Sequence, residues 1–197
     1  QAVIIPVTPF QQNCTLLWCT ATKRAVVIDP GGDIPQISRA IAQAGVTVEQ
    51  IWLTHGHIDH VGGAAALRDA LLDHVVEGGM RFGMTGVRNF TPERWLSEDD
   101  EVSVGNVTFK IFHCPGHSPG SVVFFNDEMR FAIVGDVLFN GSVGRTDLPG
   151  GDHATLIASI KNKLLPLGDD VGFICGHGPG SSIGHERATN PFLNGLA

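Results

Sequence analysis

Five histidines and two aspartates in this sequence stand where apolar runs end. Ile51-Trp52-Leu53 leads into Thr54-His55-Gly56-His57-Ile58-Asp59-His60, and Phe109 to Phe112 leads into His113-Cys114-Pro115-Gly116-His117. Phe131 to Val134 leads into Gly135-Asp136, and Phe173-Ile174-Cys175 leads into Gly176-His177. Neutral imidazoles with a few carboxylates suit Zn²⁺, Fe²⁺ or Mn²⁺, and no cysteine stands at these positions to close a sealed structural zinc site. His55 and His57 alternate along an extended segment, which points both rings the same way. Asp59 and His60 come as the chain turns into a helix start at Gly62-Gly63, so they are expected to face a second point nearby. The chemistry open to such a set is activation of water: a bound divalent ion lowers the pKa of water from about 15.7 toward about 7.

Each residue also has a plainer reading. Asp59 could cap the helix that follows it, Asp136 could cap a turn, and His117 and His177 could be loop residues bonded to backbone. His74, His153 and His185 lack a strand-end placement, His113 alternates with its strand rather than sitting at the loop apex, and all four read as structural. Asp29, in Ile28-Asp29-Pro30-Gly31-Gly32, is either a turn residue or one that orients a ligand from behind.

Convergence of these side chains requires strands whose ends share a rim. Val3–Val7, Cys14–Thr20 and Ala25–Ile28 read as strands. Asp33 is a candidate N-cap for a helix with Ile34, Ile37, Ile41 and Ala44 on one face and a stop at Gly45. A strand over 50–53 runs into the first histidine cluster, and 61–72 is helical in composition. Residues 102–104 and 107–112 predict a hairpin through Gly105-Asn106, and 121–125 and 130–134 a second through Asn126-Asp127-Glu128. A helix over 154–165, preceded by Asp152, leads to a strand over 171–175, and Asn190-Pro191-Phe192 reads as loop. Hairpins separated by a few helices predict an α/β fold, a four-layer αββα sandwich of two mixed β-sheets with outer helices. The 197 residues are expected to form a single domain, 1–197.

A net charge of −7 argues against nucleic acid as the partner. No apolar run is long enough for a membrane span, and Gln1 to Phe10 lacks the pattern of a signal peptide. The four cysteines, Cys14, Cys19, Cys114 and Cys175, form no C-x-x-C pair and read as reduced and buried, which makes the cytoplasm the expected compartment.

The series His55-x-His57-x-Asp59-His60, then His117, Asp136 and His177 in that order, resembles the metallo-β-lactamase superfamily. The resemblance runs from the Asp29-Pro30-Gly31 turn to the C-terminal histidine loop. Asn140-Gly141-Ser142-Val143-Gly144-Arg145-Thr146-Asp147 and Gly176-His177-Gly178-Pro179 resemble in particular a small bacterial subgroup of type II glyoxalases (hydroxyacylglutathione hydrolases) without the C-terminal helical domain. It implies two divalent metal ions, zinc first and iron or manganese as alternatives. His55, His57 and His117 would hold one, Asp59, His60 and His177 the other, with Asp136 bridging. Asp59 would be a ligand first and a holder of the water's proton second. The implied activity is hydrolysis of a small-molecule glutathione thioester, with Arg145 a candidate for the substrate carboxylate or else a surface ion pair.

The chain departs from the pattern in having no Tyr, in carrying Asp147 where an aromatic follows the basic residue, and in a short stretch from Arg68 to Gly79. That stretch leaves out the strand expected after the first metal-site helix. The bridging aspartate makes antibiotic hydrolysis the less expected activity. A mononuclear iron persulfide dioxygenase and a lactone or other ester hydrolase are the rival readings.

Overall fold

The computed structural model describes residues 1–71, 75–78 and 92–193, giving the strand but not the side chains of 75–78. His74 therefore lies outside the described residues. In chain order the elements are β1 (Ala2–Val7), β2 (Gln12–Trp18), β3 (Arg24–Ile28), α1 (Ile34–Ala44), β4 (Thr47–Trp52), α2 (Ile58–Val61), α3 (Ala64–Leu71), β5 (Val75–Gly78) and β6 (Arg94–Trp95). The second half comprises β7 (Glu101–Val104), β8 (Val107–His113), β9 (Val122–Asn126), β10 (Phe131–Gly135), β11 (Leu138–Phe139), β12 (Ser142–Val143), α4 (His153–Ser159), β13 (Gly172–Cys175), β14 (Ser181–Ser182) and α5 (Ile183–Thr189).

The strands make two six-stranded mixed sheets, β1-β2-β3-β4-β5-β6 and β14-β13-β10-β9-β8-β7, plus the small β11-β12 hairpin. Alternation along single strands explains the layering. In β3, Ala25 and Val27 join the cluster with Ile37 of α1 and Leu67 of α3, whereas Val26 and Ile28 join Phe109 and Phe124 of the second sheet. In β9, Val122 and Phe124 face that central layer, and Val123 and Phe125 pack with Leu156 of α4 and Ile183 of α5. Strands buried on both faces read as nearly continuous apolar runs, and these strands do. Trp52 anchors the centre, stacked on Phe124 at 5.1 Å and edge-on to Phe109 at 5.5 Å. The four-layer αββα sandwich expected from the sequence is the fold observed.

Several details differ from expectation. Asp33 precedes α1 in a left-handed conformation and makes no cap; its Oδ2 instead accepts from Thr8 N at 2.7 Å. Asp59 and His60 lie inside α2, before Gly62-Gly63, because the His57 carbonyl already accepts from the backbone of His60 and Val61. The strand thought missing after the first helices is present: β5 pairs in parallel with β4, Gln50 opposite Val75 and Trp52 opposite Glu77. Four residues suffice to extend a parallel ladder, so a short stretch shortens the strand without removing it. The helix expected over 154–165 is α-helical only to Ser159 and continues as a π-helical turn at Ile160–Leu164. Asp152 does cap it, Oδ1 accepting from Thr155 N at 2.7 Å. α5 occupies the stretch before Asn190.

β3 and β4 are parallel, as are β10 and β13, and β8 runs the same way as β10 through two antiparallel pairings. Their C-terminal ends meet at one rim, where Val122 N donates to Thr54 O across the two sheets at 2.9 Å. That is the edge at which open α/β sheets place ligands.

Candidate metal centre

Asp29 leaves the end of β3, His55 and His57 follow β4, and His117 follows β8. Asp136 follows β10 at an irregularity in its register with β13, and His177 follows β13. Such a bulge re-aims the next side chain. Two glycines make the approach possible. A Cβ on Gly176 would lie 1.9 Å from Asp136 Oδ1 and 2.7 Å from His60 Cε1. Gly116 turns at φ 131° against Leu156, where a Cβ would overlap the backbone.

The seven residues converge. His55 Nε2, His57 Nδ1 and His117 Nε2 lie 2.9–3.2 Å from one another. His177 Nε2 is 3.2 Å from Asp59 Oδ2, which is 3.8 Å from His60 Nε2. Asp136 Oδ2 stands 3.6 Å from both His117 Nε2 and His177 Nε2, so one carboxylate reaches both groups. His55-His57-His117, His55-His60-Asp136 and Asp59-His60-His177 each have donor atoms close enough to share one ion.

The surrounding hydrogen bonds decide which ring nitrogen faces the centre. His117 Nδ1 donates to Arg145 O at 2.8 Å, and His177 Nδ1 to Phe10 O at 3.2 Å. His60 Nδ1 donates to Asp29 Oδ2 at 2.9 Å. Thr54 Oγ1 donates to the same Asp29 oxygen at 2.6 Å and is thereby left to accept from His55 Nδ1 at 3.0 Å. In the neutral form of each of these four rings Nε2 carries the lone pair and points inward. Three lone pairs about 3 Å apart repel one another unless a cation lies between them. His60 Nε2 and Asp136 Oδ1 are buried without a hydrogen-bond partner, although only 3.3 Å apart. Buried polar atoms are normally paired, so these two also fit metal donors. The donor set, histidine nitrogens with two carboxylates, fits a pair of divalent ions.

Proton affinities divide the set. Burial, then the neighbouring His60, holds His55 well below the ordinary 6.5; burial and His117 lower His57 to about 4, and burial lowers His117. Burial also opposes charge on His60, but Asp136 and Asp29 outweigh it and push its pKa up. The hydrogen bond to Asp59 raises that of His177 against burial. Burial works against the anionic form of Asp136, yet His60 above all keeps it a carboxylate.

A cavity of about 560 Å³ opens over the group, walled by Phe10, Ile58, Phe139, Val143 and Leu148. Arg145 also lines it, with its guanidinium forked onto Asp147, Nε to Oδ1 and Nη2 to Oδ2, both at 2.7 Å. Among the other histidines, His113 Nε2 donates to Pro119 O at 2.8 Å, and His153 and His185 lie on α4 and α5, outside the donor groups. All four cysteines are buried and free; burial pushes Cys114 up to about 12 and Cys175 to about 11. Neither belongs to a donor group among the described residues.

Sequence reasoning missed three contributors. Thr54 relays between Asp29 and His55. Asn13 ties the His177 loop to β2, its Nδ2 donating to Cys175 O at 3.0 Å and Gly178 O at 2.8 Å. Phe10 holds His177 through a backbone carbonyl, which no residue type signals. Thr54, next to the histidines with a hydroxyl, was the one detectable in advance.

An αββα sandwich with paired histidine-aspartate donor groups at one rim defines the class of protein. The chain belongs to the metallo-β-lactamase superfamily, whose family model matches residues 7–177. It is 43% identical to the hydroxyacylglutathione hydrolase GloC of Haemophilus influenzae over 97% of each chain. The structure of BLEG-1, a B3 metallo-β-lactamase, superposes with a TM-score of 0.90 at 37% identity, covering 99% of this chain and 100% of that one. TTHA1623 in a di-iron-bound form gives 0.85 at 36%, over 97% and 100%. ETHE1 from Myxococcus xanthus gives 0.84 at 26%, over 97% and 83%.

Proposed function

We propose that the protein is a dinuclear metal-dependent thioester hydrolase acting on S-lactoylglutathione-like substrates. The observation that carries this reading is Asp136, whose carboxylate is equidistant from a histidine of each donor group. The likeness to the hydroxyacylglutathione hydrolase supports the substrate class. His55, His57 and His117 would hold one ion and Asp59, His60 and His177 the other. Zinc is the ion proposed, with iron, as in the di-iron form of TTHA1623, or manganese as alternatives.

When bound, two such ions supply an acidified water nucleophile and positive charge for the developing oxyanion. The chain does the rest. Asp136 draws the two groups together. Asp29 holds His60 directly, and through Thr54 it also holds His55. Asp59, on the cavity wall beside His177, is the carboxylate placed to hold a proton released by attack. The thiolate leaves without help from an acid. The apolar walls orient the acyl group and exclude competing water.

The test is a panel of S-lactoylglutathione, other thioesters, lactones and nitrocefin on protein of measured metal content. Thioester turnover is expected to dominate, and His55→Ala to abolish it together with bound metal. An undiminished rate in the metal-depleted variant would overturn the mechanism. Oxygen uptake on glutathione persulfide by protein holding a single iron would establish the oxidoreductase reading instead.

A further inference from the structure

Apart from the histidines of the metal donor groups, Arg145 is the one basic side chain lining the cavity among the described residues, and the walls away from those groups are largely apolar. A substrate arm ending in a carboxylate would seek that guanidinium, whose planar fork binds carboxylates through two parallel hydrogen bonds. The fork is already engaged. Asp147, two residues on, takes both bonds in the geometry a substrate carboxylate would need. The pair holds Asp147 down to about 2, so its negative charge persists at any pH at which the enzyme would work. The backbone of Arg145 is fixed as well, because its carbonyl receives His117 Nδ1. The side chain therefore starts from a point fixed beside the metal centre, and what its guanidinium holds there is the open variable.

We infer that Asp147 is a specificity-determining residue: by occupying Arg145 from within the chain, it weakens the cavity's hold on the carboxylate arm of a glutathione thioester relative to a neutral, apolar arm, with glutathione thioesters remaining substrates. The inference rests on reading this cavity as the thioester site. Both partners are about two-thirds exposed, 62% and 68%. An exposed ion pair is weak, so a substrate carboxylate can displace Asp147 at a modest cost in affinity. The mask biases selection and does not forbid the charged substrate.

The experiment compares two lactoyl thioesters of the same acyl group, one on glutathione and one on N-acetylcysteamine, in wild type, Asp147→Ala, Arg145→Ala and the double variant. Asp147→Ala is expected to lower KM for the glutathione thioester about two- to fivefold, the range an exposed ion pair allows. KM for the neutral arm and both kcat values should stay unchanged. The double variant should lose the gain. If the gain survives without Arg145, simple repulsion by Asp147 accounts for it and the masking idea falls. Equal shifts for both thioesters, or none, also overturn it. Calorimetric titration of the same proteins with S-methylglutathione and S-methyl-N-acetylcysteamine reads the same preference without turnover. A protein that hydrolyses neither thioester would sink the hydrolase reading, while this binding comparison would still decide the role of Asp147.

Discussion

His55, His57 and His117 form a group that resists protons, whereas His60 and His177, with Asp59, form one that attracts them. The residue type is the same in both, and the groups share Asp136. The difference lies in direct contact with carboxylates. His60 is held between Asp29 and Asp136, and His177 lies on Asp59. In the three-histidine group burial dominates, and the rings raise one another's cost of charge. One site thereby presents a neutral, preorganised face and a charged, carboxylate-bearing face to the same cavity.

The largest expected effect comes from removing what the two groups share. Asp136→Ala should lower kcat/KM on the order of 10³-fold and release both equivalents of metal, measured by elemental analysis beside thioester turnover. Loss of one equivalent alone would assign Asp136 to a single group.

Asp29→Asn should act unevenly, since it touches His60 directly and His55 only through Thr54. Affinity for the ion at His60 is expected to weaken by about 10–100-fold, with a smaller change at the three-histidine group. Competition with a chromophoric chelator reads the two constants, and equal weakening would contradict the asymmetry.

Acid should separate the groups in metal-free protein. By NMR, His57 is expected to titrate near pH 4 and His60 and His177 above 6.5. The linkage signs are opposite. The unfolded chain takes a proton on His57 near pH 6.5 that the folded chain refuses until about pH 4, so this group lowers stability as pH falls through that window. His60 contributes stability that is complete below its unfolded pKa and is lost as pH rises through its higher folded value. A common midpoint for all these rings would erase the distinction.

The smallest effect belongs to the rim. Phe10→Ala leaves the backbone carbonyl that holds His177, so metal content should not change. Losing part of an exposed apolar wall should cost about 1 kcal/mol, roughly fivefold in KM. A loss of metal from this variant would show that the rim and the donor groups are not separable.

Much of this is legible in the sequence. The apolar runs before Thr54 and Gly135 are strands buried on both faces, those before His113 and Gly176 are strands with one face better buried than the other, and their lengths left little choice but sheet. Hairpins at Gly105-Asn106 and Asn126 to Glu128 followed from turn chemistry. Asp33, by contrast, has a capping residue's identity but a left-handed backbone, because its carboxylate serves Thr8. β5 was hidden because four residues of parallel strand carry too little pattern to separate them from a helix end. Asp147 was visible as a departure, but its pairing with Arg145 was not, since adjacency in sequence does not say which neighbour a flexible guanidinium will choose.

The order and spacing of histidine, aspartate and glycine determined which side chains could become donors, because residue type sets available lone pairs and local backbone sets the direction in which each leaves its strand. Tertiary structure alone decided which nitrogen of each ring faces the centre, which group holds protons, and that Asp136 reaches both. Those properties depend on contacts between segments far apart in the chain, such as His117 with Arg145, His177 with Phe10 and His60 with Asp29. Electrostatic energies of that kind change over a few ångströms, a distance that sequence separation does not encode.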